Sequence, residues 1–163
     1  MCGFAWEEVA VDDIDGRLRS GTERIAGLLA GAPDRATVQP TPGRWSALEY
    51  AGHVRDVLLM LRDRMVVGMV EDEPEFKPMY RDQRVDEGLY AADTVGTMTA
   101  ELAVATALFT RLFKAVAPDD LQRSVRYGFP DPEHRTLLWM GQQAVHEVEH
   151  HGTDIAENLG VTG

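Results

Sequence analysis

Four stretches of the chain carry apolar residues at three- and four-residue steps, the period of an amphipathic helix. The first runs from about Asp12 to Ala30, with Ile14, Leu18, Ile25, Leu28 and Leu29 on one stripe, and Gly31 and Pro33 stop it. A loop follows from Thr37 to Arg44, rich in Thr, Pro and Gly. The second helix opens on Ser46, with Glu49 three residues later, a capping box that satisfies two otherwise unpaired N–H groups. Trp45 stands just before the cap, placed to staple onto Tyr50. Ala51, Val54, Leu58, Leu61 and Met65 form the stripe, which fades by Val70.

Residues Glu71 to Gly88 hold Pro74, Pro78 and many charges, and read as a long connection of the kind that lines a site. The third helix is expected to start at Asp93 as N-cap. It carries Val95, Met98, Leu102, Ala105, Phe109, Leu112 and Val116 and ends at Pro118. Ser124 to Phe129 has extended character but is too short and isolated to predict a sheet. The fourth helix begins at Asp131-Pro132-Glu133, or a few residues later at Thr136, and ends at Gly160. Its stripe is Leu138, Gly141, Val145, Val148, Gly152, Ile155 and Leu159. The pattern predicts an all-α four-helix bundle over residues 1–163, one domain with a long connection between helices two and three.

Composition narrows the function. The net charge is −11, and no basic stripe is visible, so nucleic acid is not an expected partner. No apolar run approaches the roughly 20 residues that span a bilayer, and no membrane partner is expected. The N-terminus lacks a basic patch followed by an apolar stretch. No signal peptide is therefore expected, and a cytoplasmic location is. Cys2, the single cysteine, can form neither an internal disulfide nor a thiolate metal site. Arg outnumbers Lys 14 to 2, a bias that suggests a GC-rich genome.

The chemistry concentrates in histidines. His53 lies on helix two, and helix four reads His146-Glu147-Val148-Glu149-His150-His151. Residues four apart on a helix lie about 40° apart around its axis, so both can reach one ion. Two such pairs exist. His146 with His150 matches the HExxH zinc pattern, and Glu147 with His151 is the second. A helical wheel centred on the apolar stripe puts Glu147 and His151 at its edge. It turns His146 and His150 to the far side with Trp139, Gln142 and Gln143, facing outward or toward a partner subunit. His53 supplies a third ligand, with Asp56 as the acceptor that orients its ring. Two imidazoles and one carboxylate leave coordination positions open, and suit zinc first, with iron or nickel as alternatives.

Two runs carry a family resemblance: Trp45-Ser-Ala-Leu-Glu-Tyr-Ala-Gly-His53-Val-Arg-Asp56, and His146-Glu147-Val-Glu-His150-His151-Gly-Thr-Asp154-Ile155. They resemble the two signature segments of the DinB-like superfamily. In ligand set they are most similar to its mycothiol-dependent maleylpyruvate isomerase branch, which has Glu first in the pair, as Glu147 is here. The resemblance implies a DinB-like bundle, often a homodimer. Its divalent metal would be held by one His on helix two and an i, i+4 pair on the last helix. It further implies a thiol S-transferase or isomerase that joins a low-molecular-weight thiol, mycothiol first, to a small-molecule electrophile.

Other readings stand beside this one. A non-catalytic metal-binding stress protein and a metal-dependent hydrolase are the alternative functions. His134 reads as a surface residue near a helix start, and Asp154 and Glu157 as facing water. The Met residues read as core filling. A pocket between helix ends would draw on Trp45, Tyr50, Tyr80, Tyr90, Trp139 or Phe129.

Overall fold

The computed structural model describes residues 3–128 and 130–161, so Cys2 and Phe129 lie outside it. Four long helices, α1 (Asp13–Gly31), α3 (Ala47–Val70), α5 (Val95–Ala115) and α6 (Leu137–Asn158), form the bundle. Two short helices, α2 (Pro33–Ala36) and α4 (Arg81–Asp86), lie in the connections. Both α1 and α3 pack against α5 and α6, so α1 and α3 face each other diagonally. The chain therefore crosses the bundle twice, from α1 to α3 and again from α5 to α6. No described helix is long and apolar enough to cross a membrane.

The apolar stripes meet as their spacing requires. Leu18, Ile25 and Leu29 of α1, Leu58, Leu61 and Met65 of α3, Met98 and Phe109 of α5, and Met140 and Val148 of α6 are all fully buried. Each such side chain stabilises the fold by about 1.5–3 kcal/mol relative to exposure. Gly141 leaves room for the Phe113 side chain of α5 to reach across the core to α6: a Cβ there would stand 2.3 Å from the Phe113 ring.

The start of α3 follows its sequence signature. Glu49 N–H donates to Ser46 Oγ (3.2 Å) and Ser46 N–H to Glu49 Oε2 (2.6 Å). Trp45 and Tyr50 rings meet at 5.3 Å. Asn158 Nδ2 donates to the Trp45 carbonyl at 2.7 Å, which ties this end of α3 to the C-terminal end of α6. His53 and His151 thereby come level on antiparallel neighbours.

Three expectations are corrected. The N-cap of α5 is Thr94, in a capping box with Thr97, while Asp93 accepts from Arg55 Nη1 at 3.2 Å. Ser124–Tyr127 is not isolated. It forms β1 and pairs antiparallel with β2 (Glu133–Thr136), a strand that Asp131-Pro132 made resemble a helix start. Thr136 ends β2 and caps α6 through Trp139 N–H (3.0 Å). His134 thus lies on a strand, where its Nδ1 is 3.1 Å from Ser124 Oγ and its Nε2 3.1 Å from Arg126.

Candidate metal centre

His53, on the second turn of α3, faces Glu147 and His151, one turn apart on α6. His53 Nε2 is 3.2 Å from Glu147 Oε2, and His151 Nε2 is 3.3 Å from the same oxygen. The donor atoms all lie within 4.8 Å of one another, a group that could hold a metal ion. His53 and His151 are buried and Glu147 nearly so. The Trp45 ring meets His53 edge-on at 5.4 Å, and Tyr50 stacks on His151 at 5.3 Å.

Neighbouring hydrogen bonds set the orientation. Asp154 Oδ2 lies 2.8 Å from His151 Nδ1, which keeps the proton on that nitrogen. Nε2 is then the nitrogen that faces Glu147: a protonated ring donates there to the carboxylate, and a neutral ring offers its lone pair there to a cation. Gln143 Nε2 donates to Glu147 Oε1 at 2.6 Å, and Trp6 Nε1 donates to Gln143 Oε1 at 3.0 Å. One carboxylate oxygen is therefore held and the other faces the imidazoles. His53 Nδ1 is buried with no hydrogen-bond partner among the described residues.

The electrostatics fit a cation. Burial alone would raise the Glu147 pKa, yet hydrogen bonds to His146, His151 and His53 hold the carboxyl well below its ordinary range. Burial likewise opposes a charged His151, but Asp154 and Glu147 outweigh it and raise the ring's pKa. At His53 burial prevails over Glu147, and the pKa falls. A buried anion beside two imidazoles is a donor set for a divalent metal.

Other expected residues fall elsewhere. Asp56 makes no hydrogen bond to His53. It accepts from Arg84 Nη1 (2.7 Å), Arg55 Nε (3.0 Å) and the Tyr90 hydroxyl (3.0 Å), which pins the connection to α3. Gly52 makes room for that contact, since a Cβ there would stand 2.6 Å from the Tyr90 ring. His146 turns away from the bundle axis, but the N-terminal segment covers it, with Phe4 and Trp6 rings at 5.0 and 4.9 Å. His146 Nδ1 is also 3.5 Å from Glu147 Oε1. His150 is partly exposed, 3.7 Å from Asp154 Oδ2.

An open cavity of about 310 Å³ adjoins the site, lined by Trp45, Tyr50, Arg81, His150, His151 and Asp154 among others. Tyr90 is buried against α3 and Trp139 packs on Tyr127, so neither contributes to this cavity. Sequence reasoning missed Asp154, Gln143 and Arg81. The first two were within reach, because Asp154 is three residues after His151 and Gln143 four before Glu147. Asp154 is only partly exposed and engages His151, whereas Glu157 is exposed as expected and pairs with Arg44 at 2.9 Å. Arg81 left no helical signal, being in the connection.

The DinB superfamily model matches residues 17–155. No curated protein matches the chain. Among solved structures, YfiT from Bacillus subtilis, described as a probable metal-dependent hydrolase with an unusual four-helix bundle topology, superposes with a TM-score of 0.80 at 15% identity. That match covers 96% of this chain and 93% of YfiT. A conserved protein from Enterococcus faecalis gives 0.70 at 14% identity, covering 93% of this chain and 96% of the other. A mycothiol-dependent maleylpyruvate isomerase gives 0.71 at 15% identity, over 93% of this chain but 63% of the isomerase.

Proposed function

The chain belongs to the DinB superfamily, and on that premise we propose a metal-dependent thiol S-transferase or isomerase. In this reading His53, Glu147 and His151 hold one divalent cation, zinc first, with nickel or iron as alternatives. Mycothiol is the first candidate thiol. The reading rests chiefly on one observation: the three donors converge, and one of them, His151, lines an open cavity.

A divalent cation bound there supplies a Lewis acid that favours the deprotonated form of a thiol or of water. The chain's own residues do the rest. Asp154 fixes the His151 tautomer, and Gln143 fixes Glu147. Trp45 and Tyr50 wall the cavity with apolar rings that exclude water from the organic part of a ligand. His150, on the same wall, is placed to take the proton that the thiol releases. In transfer, the S–H bond breaks, the proton goes to His150, and an S–C bond forms as the electrophile's carbon–leaving-group bond breaks and the leaving group departs as an anion. In isomerisation the thiolate instead adds to a C=C bond, and after rotation the S–C bond breaks, the C=C bond re-forms and the thiolate is released.

The adjoining cavity also weighs against a non-catalytic metal-binding role. A hydrolase is the second reading, favoured by the likeness to YfiT. Metal-loaded protein, mixed with monobromobimane and mycothiol, bacillithiol or glutathione in turn, should conjugate at least one thiol, and chelator should abolish the reaction. Metal-containing protein inert with all three overturns the transferase. Turnover of an ester or lactone with no thiol present supports the hydrolase. A homodimer belongs to the proposal and is checked by light scattering.

A further inference from the structure

Among the residues lining the cavity beside His151, one fixed cation is present, the Arg81 guanidinium. Its contact with a carboxylate is loose, with Nε 3.8 Å from Asp82 Oδ1, and its side chain is 60% exposed. Arg44, the nearby alternative, is already engaged by Glu157 at 2.9 Å. Arg81 opens α4, and Tyr80, just before it, takes a left-handed conformation (φ 54°, ψ 52°). Arg84, on the same face of α4, anchors that helix through Asp56 (2.7 Å) and the Met79 carbonyl (3.0 Å). The charge of Arg81 reaches both Tyr50 and His53.

In a chain of net charge −11, a free anion is repelled unless a placed cation receives it. We propose that Arg81 determines the specificity of this cavity by receiving the carboxylate of an anionic small-molecule substrate, in a two-pronged pairing. A guanidinium fork matches a carboxylate geometrically. One fork with Asp82 and Asp154 nearby suits a single negative charge better than the double charge of a phosphate monoester. The inference rests on reading this cavity as the substrate site and adds the substrate class.

The test uses zinc-loaded protein and calorimetric titration with succinamate and with succinamide, in which an amide replaces the one carboxylate. The two probes differ only in one terminal group. Wild type should bind succinamate about tenfold more tightly. Arg81→Gln should bind both equally, and Arg81→Lys should keep part of the preference, as a point charge without the fork. Zinc content should be the same in all three proteins. Equal affinities in wild type, binding of neither probe, or a preference that survives in Arg81→Gln overturns the inference. Neither probe carries a thiol, so this result and the thiol-conjugation result succeed or fail separately.

Discussion

Asp154 Oδ2 sits 2.8 Å from His151 Nδ1, one turn further along the same helix. Burial raises the Asp154 pKa, but the hydrogen bond to His151 overcomes it and holds the carboxyl below its ordinary value. An acid that keeps its charge beside a buried ring fixes which nitrogen of that ring is free. Asp154→Asn should therefore weaken zinc binding about ten- to hundredfold while leaving the helical circular dichroism intact. Zinc affinity measured by competition with a chromophoric chelator checks this, and unchanged affinity would remove Asp154 from the site.

The choice between the two i, i+4 pairs on α6 is testable directly. Glu147→Ala and His151→Ala should lose the metal, and with it the thermal stabilisation. A ligand at a hundred times its Kd stabilises by about 2.7 kcal/mol, roughly 5–10 °C for a chain this size. His146→Ala and His150→Ala should retain the metal. Elemental analysis of untagged protein and a melting curve with and without chelator decide between the pairs.

Asp56 anchors Arg55, Arg84 and Tyr90 rather than His53. Asp56→Asn should lower stability by about 1–3 kcal/mol, since it weakens charge-assisted hydrogen bonds at a mostly buried carboxylate. Its zinc affinity should stay within about twofold of wild type. Urea midpoints and the same chelator competition separate the two effects, and a large loss of zinc would restore a role at the metal.

Asp15 bridges α1 to α5 through Lys114 Nζ (2.7 Å), with Arg19 Nε at 2.9 Å. The Lys114 hydrogen bond is the main reason its carboxyl lies below the ordinary range, burial opposing it. A pKa depressed in the folded state means stabilisation that is complete above the unfolded value, about 3.9. It is lost as pH falls through the folded value. Asp15→Asn should cost less than about 1 kcal/mol at pH 7, shrink with added salt, and cost nothing in strong acid. Thermal melts across pH and sodium chloride check the trend.

The bundle itself was legible in the chain because helix periodicity and capping are local. The Ser46–Glu49 box, the stripe from Ala51 to Met65 and the inward flank of α6 carrying Glu147 and His151 each follow from residues within two turns of one another. Elements whose partners are remote were not legible. β1 needed β2 across a turn, and the cap of α5 falls on Thr94, one residue past the expected Asp93, which Arg55 engages instead.

The sequence by itself therefore determined the helices, their buried faces and which donor atoms could point inward, since side-chain direction on a helix is set by its period. Tertiary structure alone decided that α3 and α6 run antiparallel with His53 level with His151, and that Asp56 serves the connection. It also decided that the N-terminal turn reaches Glu147 through Gln143, and that Arg81 faces the cavity. Those relations join residues up to 137 positions apart, as Trp6 and Gln143 are. They depend on how the diagonal crossings pack, which no local pattern encodes.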